Sequence, residues 1–324
     1  MTFTALLSRT LLALAALGLL TMAAAQQDCP RGELDDRFCD TTGDMLADPP
    51  TDPSQWVTPS TLIFTYAPTE DPAVYQDAFQ EFMDYLAEVT GIPVQWFSVR
   101  SYAAQIEAMR AGRLHVAGFA AGAVQEGVNI AGFHPVAMMA QDEGDGTYTW
   151  GYDMEIIVKA GSDIQSLEDL EGRQLAFVSP TSNSGFKAPA ALLYAELGLK
   201  PDEGYQTAFS GGHDNSILGV SMGDYEAAAI ASSVLRRAVA RGDVTLEEFD
   251  FVYVSDSFPS TAYGHVYNLH PELAEKVREA YLTFDWSGTA LDETFLDVNT
   301  FIEISYKEDW QVLRTIAAAS AAIE

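Results

Sequence analysis

A polar loop at residues 179–185 has the residue types best suited to a binding site in this chain. It reads Ser-Pro-Thr-Ser-Asn-Ser-Gly and joins a predicted strand, 174–179, to a predicted helix, 185–197. Its hydroxyl and amide side chains precede the free backbone N–H groups of the helix, where the helix dipole favours an anion without lysine or arginine. An ordinary N-cap needs only one such side chain, so the loop predicts an anion-binding site.

A second polar loop, residues 210–216, also joins a predicted strand to a predicted helix. It reads Ser-Gly-Gly-His-Asp-Asn-Ser, and its two glycines allow a close approach of backbone to ligand. His213, followed by Asp214, could donate a hydrogen bond from its ring and could be charged near neutral pH. The alternative is a histidine that only caps or packs locally. Tyr102 and Tyr152 also lie near loops, but a single tyrosine is most often half-buried core.

Enzyme signatures are absent from the sequence. The five histidines form no H-E-x-x-H pattern, and no G-x-S-x-G elbow occurs. The glycines make neither a Walker loop nor a Rossmann fingerprint, and the aspartates are dispersed as on a solvated acidic surface. We therefore expect a protein that is not an enzyme and that carries no cofactor and no metal.

The elements that must position the two loops alternate between strand and helix. Such alternation predicts an α/β fold with mostly parallel sheets, in which ligands bind beyond the carboxyl ends of the strands. The predicted strands are 61–67, 93–99, 114–119, 133–140, 152–159, 174–179, 205–210, 225–231, 249–254 and 263–268. The predicted helices are 72–90, 101–111, 122–127, 185–197, 213–222, 232–240, 271–283, 290–297 and 307–323.

The overall charge excludes two classes of partner. The 324 residues include 17 Lys+Arg against 47 Asp+Glu, which gives a formal net charge of −30. A protein that binds nucleic acid by neutralising phosphates, or that binds an anionic membrane surface, is not expected at this charge. Hydrophobic residues make up 48% of the chain, enough to bury a sizeable core and to exclude a wholly disordered chain.

The N-terminal residues 1–25 are typical of a secretory signal peptide. Arg9 precedes an unbroken run of Leu, Ala and Gly at 11–20, and small residues follow at 23–25. This run is too short for a stable membrane span, so we expect cleavage after Ala25 and a soluble periplasmic protein. The alternative is a retained N-terminal anchor.

The following residues, 26–60, predict an irregular arm rich in proline and aspartate. The chain's two cysteines, Cys29 and Cys39, both lie in it. In an oxidising compartment this pair is most simply a disulfide, while a thiolate metal site lacks further ligands. A calcium site at the aspartates 40, 44 and 48 is conceivable, but their spacing misses the known loop pattern.

Four segments of the sequence resemble one known family. These segments are 151–170, 181–189 (TSNSGFKAP), 210–216 (SGGHDNS) and 263–273 (YGHVYNLHPEL). They are similar to the periplasmic substrate-binding components of phosphonate, phosphite and phosphate ABC importers, over about residues 61–286. The resemblance implies two α/β lobes of the type II periplasmic binding protein fold, joined by a hinge of two chain crossings. Lobe 1 would hold 60–151 plus 257–324, and lobe 2 would hold 152–256.

The resemblance also implies which residues bind the ligand. In this family a Ser-Thr-Ser loop, a histidine and two tyrosines bind an oxyanion, and here Asn183 stands in place of the usual threonine. The matching positions are Tyr102, Tyr152, Ser182, Asn183, Ser184 and His213. Gly185, in the same loop, is also expected at the ligand, and Thr181 and Asp214 are weaker candidates. The expected partners are a small oxyanion and a membrane permease, and the expected state is a monomer.

Two acidic positions of the family are not acidic here. One corresponds to Ser233 and the other falls near 260–263. Their loss disfavours a phosphonate that carries an amine and favours phosphite or phosphate. Glu70 or Asp71, in the first strand-to-helix loop, could replace the missing acid.

Three alternatives remain open at this point. The chain could bind a sulfonate, a thiamine precursor or another organic anion, with Tyr148 and Trp150 lining a roomier cleft. It could be a secreted phosphatase or esterase, which would require hydrolysis and a metal. It could also deliver its ligand to a sensor instead of a permease.

Overall fold

The structure is a computed structural model that describes residues 29–323. The predicted signal peptide and its cleavage site therefore lie outside the described residues. Among residues 29–323, no helix is long and apolar enough to cross a bilayer.

Two mixed sheets organise the described chain. The strands are β1 (Leu62–Tyr66), β2 (Val94–Trp96), β3 (Val116–Phe119), β4 (Phe133–Asp142), β5 (Tyr148–Thr149), β6 (Met154–Lys159), β7 (Gln174–Phe177), β8 (Gln206–Phe209), β9 (Ala227–Ala231), β10 (Phe249–Val254), β11 (Ala262–Val266) and β12 (Thr300–Glu303). The first sheet has the order β12-β4-β11-β3-β1-β2, with β5 paired to β4, and the second has the order β10-β6-β9-β7-β8. We call the units built on these sheets lobe 1 and lobe 2.

Helices flank both sheets. They are α1 (Ala73–Ala78), α2 (Gln80–Thr90), α3 (Tyr102–Arg110), α4 (Val124–Glu126), α5 (Ala188–Leu197), α6 (His213–Met222), α7 (Ser232–Arg241), α8 (Pro271–Thr283), α9 (Ala290–Thr294), α10 (Tyr306–Asp309) and α11 (Gln311–Ala321). Two π-helical turns, Gly127–Ala131 and Asn183–Lys187, adjoin α4 and α5. Short 3-10 turns occur at Pro53–Gln55, Ala121–Ala123, Glu168–Leu170 and Leu246–Glu248.

The prediction of mostly parallel sheets is wrong for part of each sheet. Strand β1 is parallel to β2 and β3, and β7 is parallel to β8 and β9. In contrast, β11 runs antiparallel between β3 and β4, and β6 runs antiparallel between β9 and β10. The parallel rule applies to strands joined by a helix on the same sheet. It does not apply to β6 and β11, because each enters its sheet directly after the chain crosses from the other one.

The two crossings lie side by side. Tyr152, between β5 and β6, pairs with Phe258, between β10 and β11, in an antiparallel bridge. Tyr152 N–H donates to Phe258 O at 3.0 Å, and Phe258 N–H donates to Tyr152 O at 2.8 Å. This paired backbone is the connection about which two lobes can move relative to each other.

The C-terminal helix contacts both lobes. Helix α11 follows the first-sheet strand β12, yet it packs against α5, and Ile323 is buried in the core of the second sheet. The resemblance had implied lobe 1 for these residues. The lobe boundaries at 60–151 plus 257–324 and 152–256 remain a proposal. Helix α11 departs from them, because its residues are assigned to lobe 1 but pack against α5 of lobe 2.

The N-terminal arm is irregular and packs onto lobe 1. Cys29 and Cys39 form a disulfide, and the buried ring of Phe38 lies 4.8 Å from that of Tyr267. The Asp40 carboxylate accepts hydrogen bonds from the backbone N–H groups of residues 43, 44 and 45, so its oxygens are already occupied. The described residues contain no group of three or more His, Cys, Asp or Glu side chains that could hold a metal. The calcium alternative therefore has no structural support.

Candidate functional site

A cavity of about 90 Å³ lies in the cleft between the lobes. Lobe 1 contributes Tyr102 to its lining, while lobe 2 contributes the polar loop and His213. The predicted site residues that line it are Tyr102, Tyr152, Ser182, Asn183, Ser184 and His213. Thr181, Gly185, Glu70, Asp71 and Asp214 are not part of this lining. The cleft therefore brings together most of the residues that the sequence predicted.

The loop before α5 divides its hydroxyl groups between two tasks. Ser182 Oγ accepts a hydrogen bond from Gly185 N–H at 3.1 Å, which is ordinary N-capping. Ser184 Oγ is buried and has no hydrogen-bond partner within residues 29–323. Gly185 contributes by its small size, because a Cβ there would lie 2.5 Å from Val178. The unpartnered Ser184 hydroxyl is therefore available to a ligand.

Two tyrosines approach the same cavity. Tyr102 is the first residue of α3, after Ser101, whose Oγ caps the helix by accepting from Ala104 N–H at 3.2 Å. The Tyr102 hydroxyl is buried and, in the described part of the chain, has no hydrogen-bond partner. Tyr152 Oη accepts from Asn183 Nδ2 at 3.1 Å. Burial raises the pKa of both tyrosines, so both stay protonated and can donate a hydrogen bond.

His213 is a neutral hydrogen-bond donor. Its Nδ1 accepts from Ala231 N–H at 3.1 Å, which places the ring proton on Nε2. Burial lowers the pKa of His213 to about 3. The expectation that His213 could be charged near neutral pH is therefore wrong, because complete burial disfavours the imidazolium.

The three acidic candidates have other partners. The side chain of Glu70 is 1% exposed. Its carboxylate accepts hydrogen bonds from Tyr75 Oη at 2.6 Å and from Arg237 Nε at 2.8 Å, and it forms an ion pair with Arg241 Nη1 at 2.7 Å. Asp214 Oδ2 accepts from Asp71 N–H at 3.2 Å, across the cleft. None of these carboxylates lines the cavity, so the structure gives neither Glu70 nor Asp71 the place of the missing acid.

Glu70 remains ionised despite its burial. Burial alone would raise its pKa, but Arg237, the Tyr75 hydroxyl and Arg241 together outweigh it, and the pKa is lowered. Glu70 comes from lobe 1, whereas both arginines lie on α7 of lobe 2. This buried ion pair therefore forms only when the two lobes are in contact.

Two arginines of α7 also belong to the site, although the sequence did not single them out. Arg236 and Arg237 both line the cavity. Arg237 lies over the Phe295 ring at 5.3 Å, and Arg236 pairs with Asp297 at 2.6 Å. The sequence contains a feature that indicates them, because two adjacent arginines follow a buried strand in a chain with only 17 Lys and Arg residues.

The two lobes also touch through backbone. Gly122, in a 3-10 turn of lobe 1, packs so closely on the 181–183 backbone that a Cβ would lie 2.4 Å from Asn183 N and 2.5 Å from Thr181 O. Lys187 Nζ donates to Gly122 O at 2.8 Å, and His213 N–H donates to Thr69 O at 3.0 Å. The structure is therefore the closed arrangement of the cleft.

A family model described as "ABC transporter, phosphonate, periplasmic substrate-binding protein" matches residues 64–310. The chain belongs to this family. It is 29% identical over 232 residues to the phosphate-import protein PhnD of Mycolicibacterium smegmatis, which covers 69% of this chain and 71% of that protein. The resemblance seen in the sequence is confirmed, and the relatives are binding proteins of transporters and not enzymes.

Solved structures confirm the type II periplasmic binding protein fold. A binding protein component of an ABC phosphonate transporter from Pseudomonas aeruginosa matches with a TM-score of 0.71 at 20% identity, over 82% of this chain and 89% of that one. PhnD1 from Prochlorococcus marinus, solved with methylphosphonate, matches with a TM-score of 0.66 at 18% identity, over 81% and 98% of the two chains. Together with the family model, this fold agrees with a periplasmic substrate-binding protein of the phosphonate ABC transporter family.

Proposed function

We propose that the protein captures a small phosphorus oxyanion, of the phosphite, phosphate or phosphonate class, between its lobes and presents it to a membrane permease. The observation that carries this proposal is the pair of unpartnered hydroxyls, Tyr102 from lobe 1 and Ser184 from lobe 2, buried at one cavity. A buried hydroxyl without a partner costs about 1–3 kcal/mol. A ligand with acceptor oxygens on several sides removes that cost at both positions.

The remaining donors fit the same ligand. His213 offers Nε2–H in its neutral form, and the Tyr152 hydroxyl can turn its proton to the cavity while it accepts from Asn183. Oxyanion oxygens taken out of water must all be hydrogen-bonded, since their desolvation is otherwise prohibitive. Because the donors come from both lobes, the ligand favours the closed arrangement by its differential affinity for it.

A larger organic anion is less well supported. Tyr148 and Trp150, which were expected to line a roomier cleft, are 49% and 39% exposed and are not in the lining of the cavity. We therefore keep the small phosphorus oxyanion as the proposed ligand.

Calorimetric titration of the mature protein, 26–324, tests the proposal. The protein is first unfolded and refolded to remove retained ligand, and then titrated with phosphite, phosphate, methylphosphonate and sulfate. We expect micromolar or tighter binding of at least one phosphorus ligand. Absence of binding to all three phosphorus ligands by folded protein would contradict it.

Matched variants locate the binding in the cleft. Ser184→Ala removes a hydroxyl that lines the cavity, while Ser287→Ala removes one from an exposed position. We expect only the first variant to lose affinity. Equal affinities for the two variants would place the ligand elsewhere.

A further inference from the structure

The Arg237–Glu70 pair contributes only its arginine to the lining of the cavity. Arg237 lines the cavity, although its side chain is only 8% exposed. Its Nε donates to Glu70 at 2.8 Å and its Nη2 donates to Tyr75 Oη at 3.2 Å. Glu70, on the far side, is enclosed by Tyr75, Arg237 and Arg241 and does not line the cavity. The guanidinium is therefore nearer to a bound ligand than the carboxylate that compensates it.

Within residues 29–323, the lining of the cavity contains no free carboxylate for a cationic group. Its charged lining residues are Arg236, Arg237 and Asp297. Asp297 is paired with Arg236 at 2.6 Å, and both side chains are more than 40% exposed, so this pair lies at the solvent side. An ammonium group inside the cavity would meet two guanidinium groups and no unpaired acid, and burial of an uncompensated charge is costly.

Part of the remaining wall is apolar, and the cavity leaves room for a substituent on the oxyanion. A volume of about 90 Å³ corresponds to roughly six to nine water sites at about 10–15 Å³ each. An oxyanion of five heavy atoms does not fill it. The larger apolar residues that line the cavity are Met139, Val234, Phe295, Leu296 and Val298.

We propose that Arg237 is a specificity-determining residue. Because of its positive charge, the cavity binds phosphorus oxyanions that have no substituent or a small uncharged one, and it rejects those that carry an ammonium group. The proposal rests on the function proposed above and narrows its ligand class. Arg237 acts by its charge, attracting the oxyanion and repelling a cationic substituent. The Glu70 carboxylate and the Tyr75 hydroxyl hold it in place.

Two ligands of equal size separate the effect of the substituent's charge from that of its volume. Propylphosphonate and 2-aminoethylphosphonate have the same number of heavy atoms, but only the second carries an ammonium group. We expect the unsubstituted protein to bind propylphosphonate at least about tenfold more tightly, the effect of one unit charge at this range. The uncharged, polar 2-hydroxyethylphosphonate is the control for polarity and is expected to bind more tightly than the amine.

Variants of Arg237 show whether this residue causes the preference. Arg237→Gln is expected to reduce the affinity ratio of the two ligands by at least about threefold, because the repulsion between guanidinium and ammonium is lost while the cost of burying the ammonium remains. Arg237→Lys keeps a positive charge and is expected to retain most of the ratio. If Arg237→Gln does not fold, the double variant Glu70→Gln/Arg237→Gln removes both charges and leaves no buried carboxylate that has lost its Arg237 partner. Thermal unfolding of each variant checks its fold.

Each outcome has a distinct meaning. If the folded protein binds none of phosphite, phosphate, methylphosphonate and propylphosphonate, the proposed function itself fails. If it binds phosphate or methylphosphonate but binds the amine as tightly as propylphosphonate, the role of Arg237 is refuted. The role is refuted as well if Arg237→Gln weakens both ligands equally, which is the signature of a purely structural residue. Binding of methylphosphonate with neither larger phosphonate would show that size selects the ligand, and would also overturn the proposal.

Discussion

Gly122 is the position where a single methyl group should block closure of the cleft. Its φ is not in the left-handed region, so alanine fits the backbone of the Ala121–Ala123 turn. The added Cβ would lie 2.4 Å from Asn183 N and 2.5 Å from Thr181 O in the other lobe. Both are backbone atoms, which cannot rotate away as a flexible side chain can. Gly122→Ala is therefore expected to disfavour the closed arrangement only.

The magnitude follows from the distances. Ordinary contact for a Cβ begins at 3.4 Å, so the lobes would have to stop about 1 Å short of their present positions. A ligand that is hydrogen-bonded to both lobes at about 2.8–3.0 Å would then lie more than about 3.5 Å from the donors of one lobe. Loss of two bonds to a charged ligand, at about 1.5–3 kcal/mol each, amounts to about 3–6 kcal/mol. This corresponds to an affinity roughly 10²- to 10⁴-fold weaker.

Calorimetry and thermal unfolding together test this reasoning. Gly122→Ala should lose affinity, while the Tm of the ligand-free protein stays constant or rises, because alanine reduces the entropy of the unfolded chain. Gly127→Ala is the matched control, since the atoms nearest to its Cβ belong to Phe119, at 3.2 Å, and Phe133, at 3.5 Å, both in lobe 1. An affinity of Gly122→Ala within threefold of the unsubstituted protein would refute the closed contact as the binding-competent state.

Three further predictions concern buried polar groups. Tyr102→Phe and Ser184→Ala should each weaken ligand binding by about tenfold or more without lowering the ligand-free Tm, because neither hydroxyl has a hydrogen-bond partner among residues 29–323. A lower Tm with unchanged affinity would contradict this. Glu70→Gln should lower the free energy of unfolding of the liganded protein by about 3–5 kcal/mol in denaturant unfolding, because it breaks a buried ion pair with Arg237. A change below about 1 kcal/mol would refute the stabilising role of this ion pair. Burial lowers the pKa of His213 to about 3 in the folded protein, against 6.5 in the unfolded chain, so the unfolded state binds more protons between these values and the free energy of unfolding should fall as the pH drops below 6.5. His213→Gln should flatten this pH dependence, and an unchanged slope would exclude His213 as its source.

Local signals predicted the helices whose ends are set by nearby residues. Helix α6 has the predicted bounds, His213–Met222, between Gly212 and a left-handed Gly223. The predicted helix 72–90 is in fact two helices that meet at Phe79. Phe79 is fully buried and packs on Phe64 and Tyr66 of β1, so the break comes from tertiary packing, which no local pattern reports.

The site was predictable to the extent that it lies in strand-to-helix loops. Ser184 and His213 belong to such loops, and polar residues in these loops predict a ligand from the sequence alone. The partnership of Glu70 with Arg237 spans 167 residues and two lobes, so its recognition requires the three-dimensional fold. The same holds for the division of labour between Ser182, which caps the helix, and Ser184, which has no partner among the described residues.

A chain with a net charge of −30 can hold an anion because the relevant charges are local. At physiological salt the Debye length is about 8 Å, so distant surface carboxylates contribute little inside the cleft. There the donors are neutral hydroxyls, an amide and the uncharged His213, and the buried cation, Arg237, is partly compensated by Glu70. Such a set satisfies the oxygens of the ligand through hydrogen bonds placed by the fold, and the partly compensated charge of Arg237 adds a local attraction. A transport protein must also release its ligand, and a site whose hydrogen bonds come from two lobes loses them together when the lobes separate.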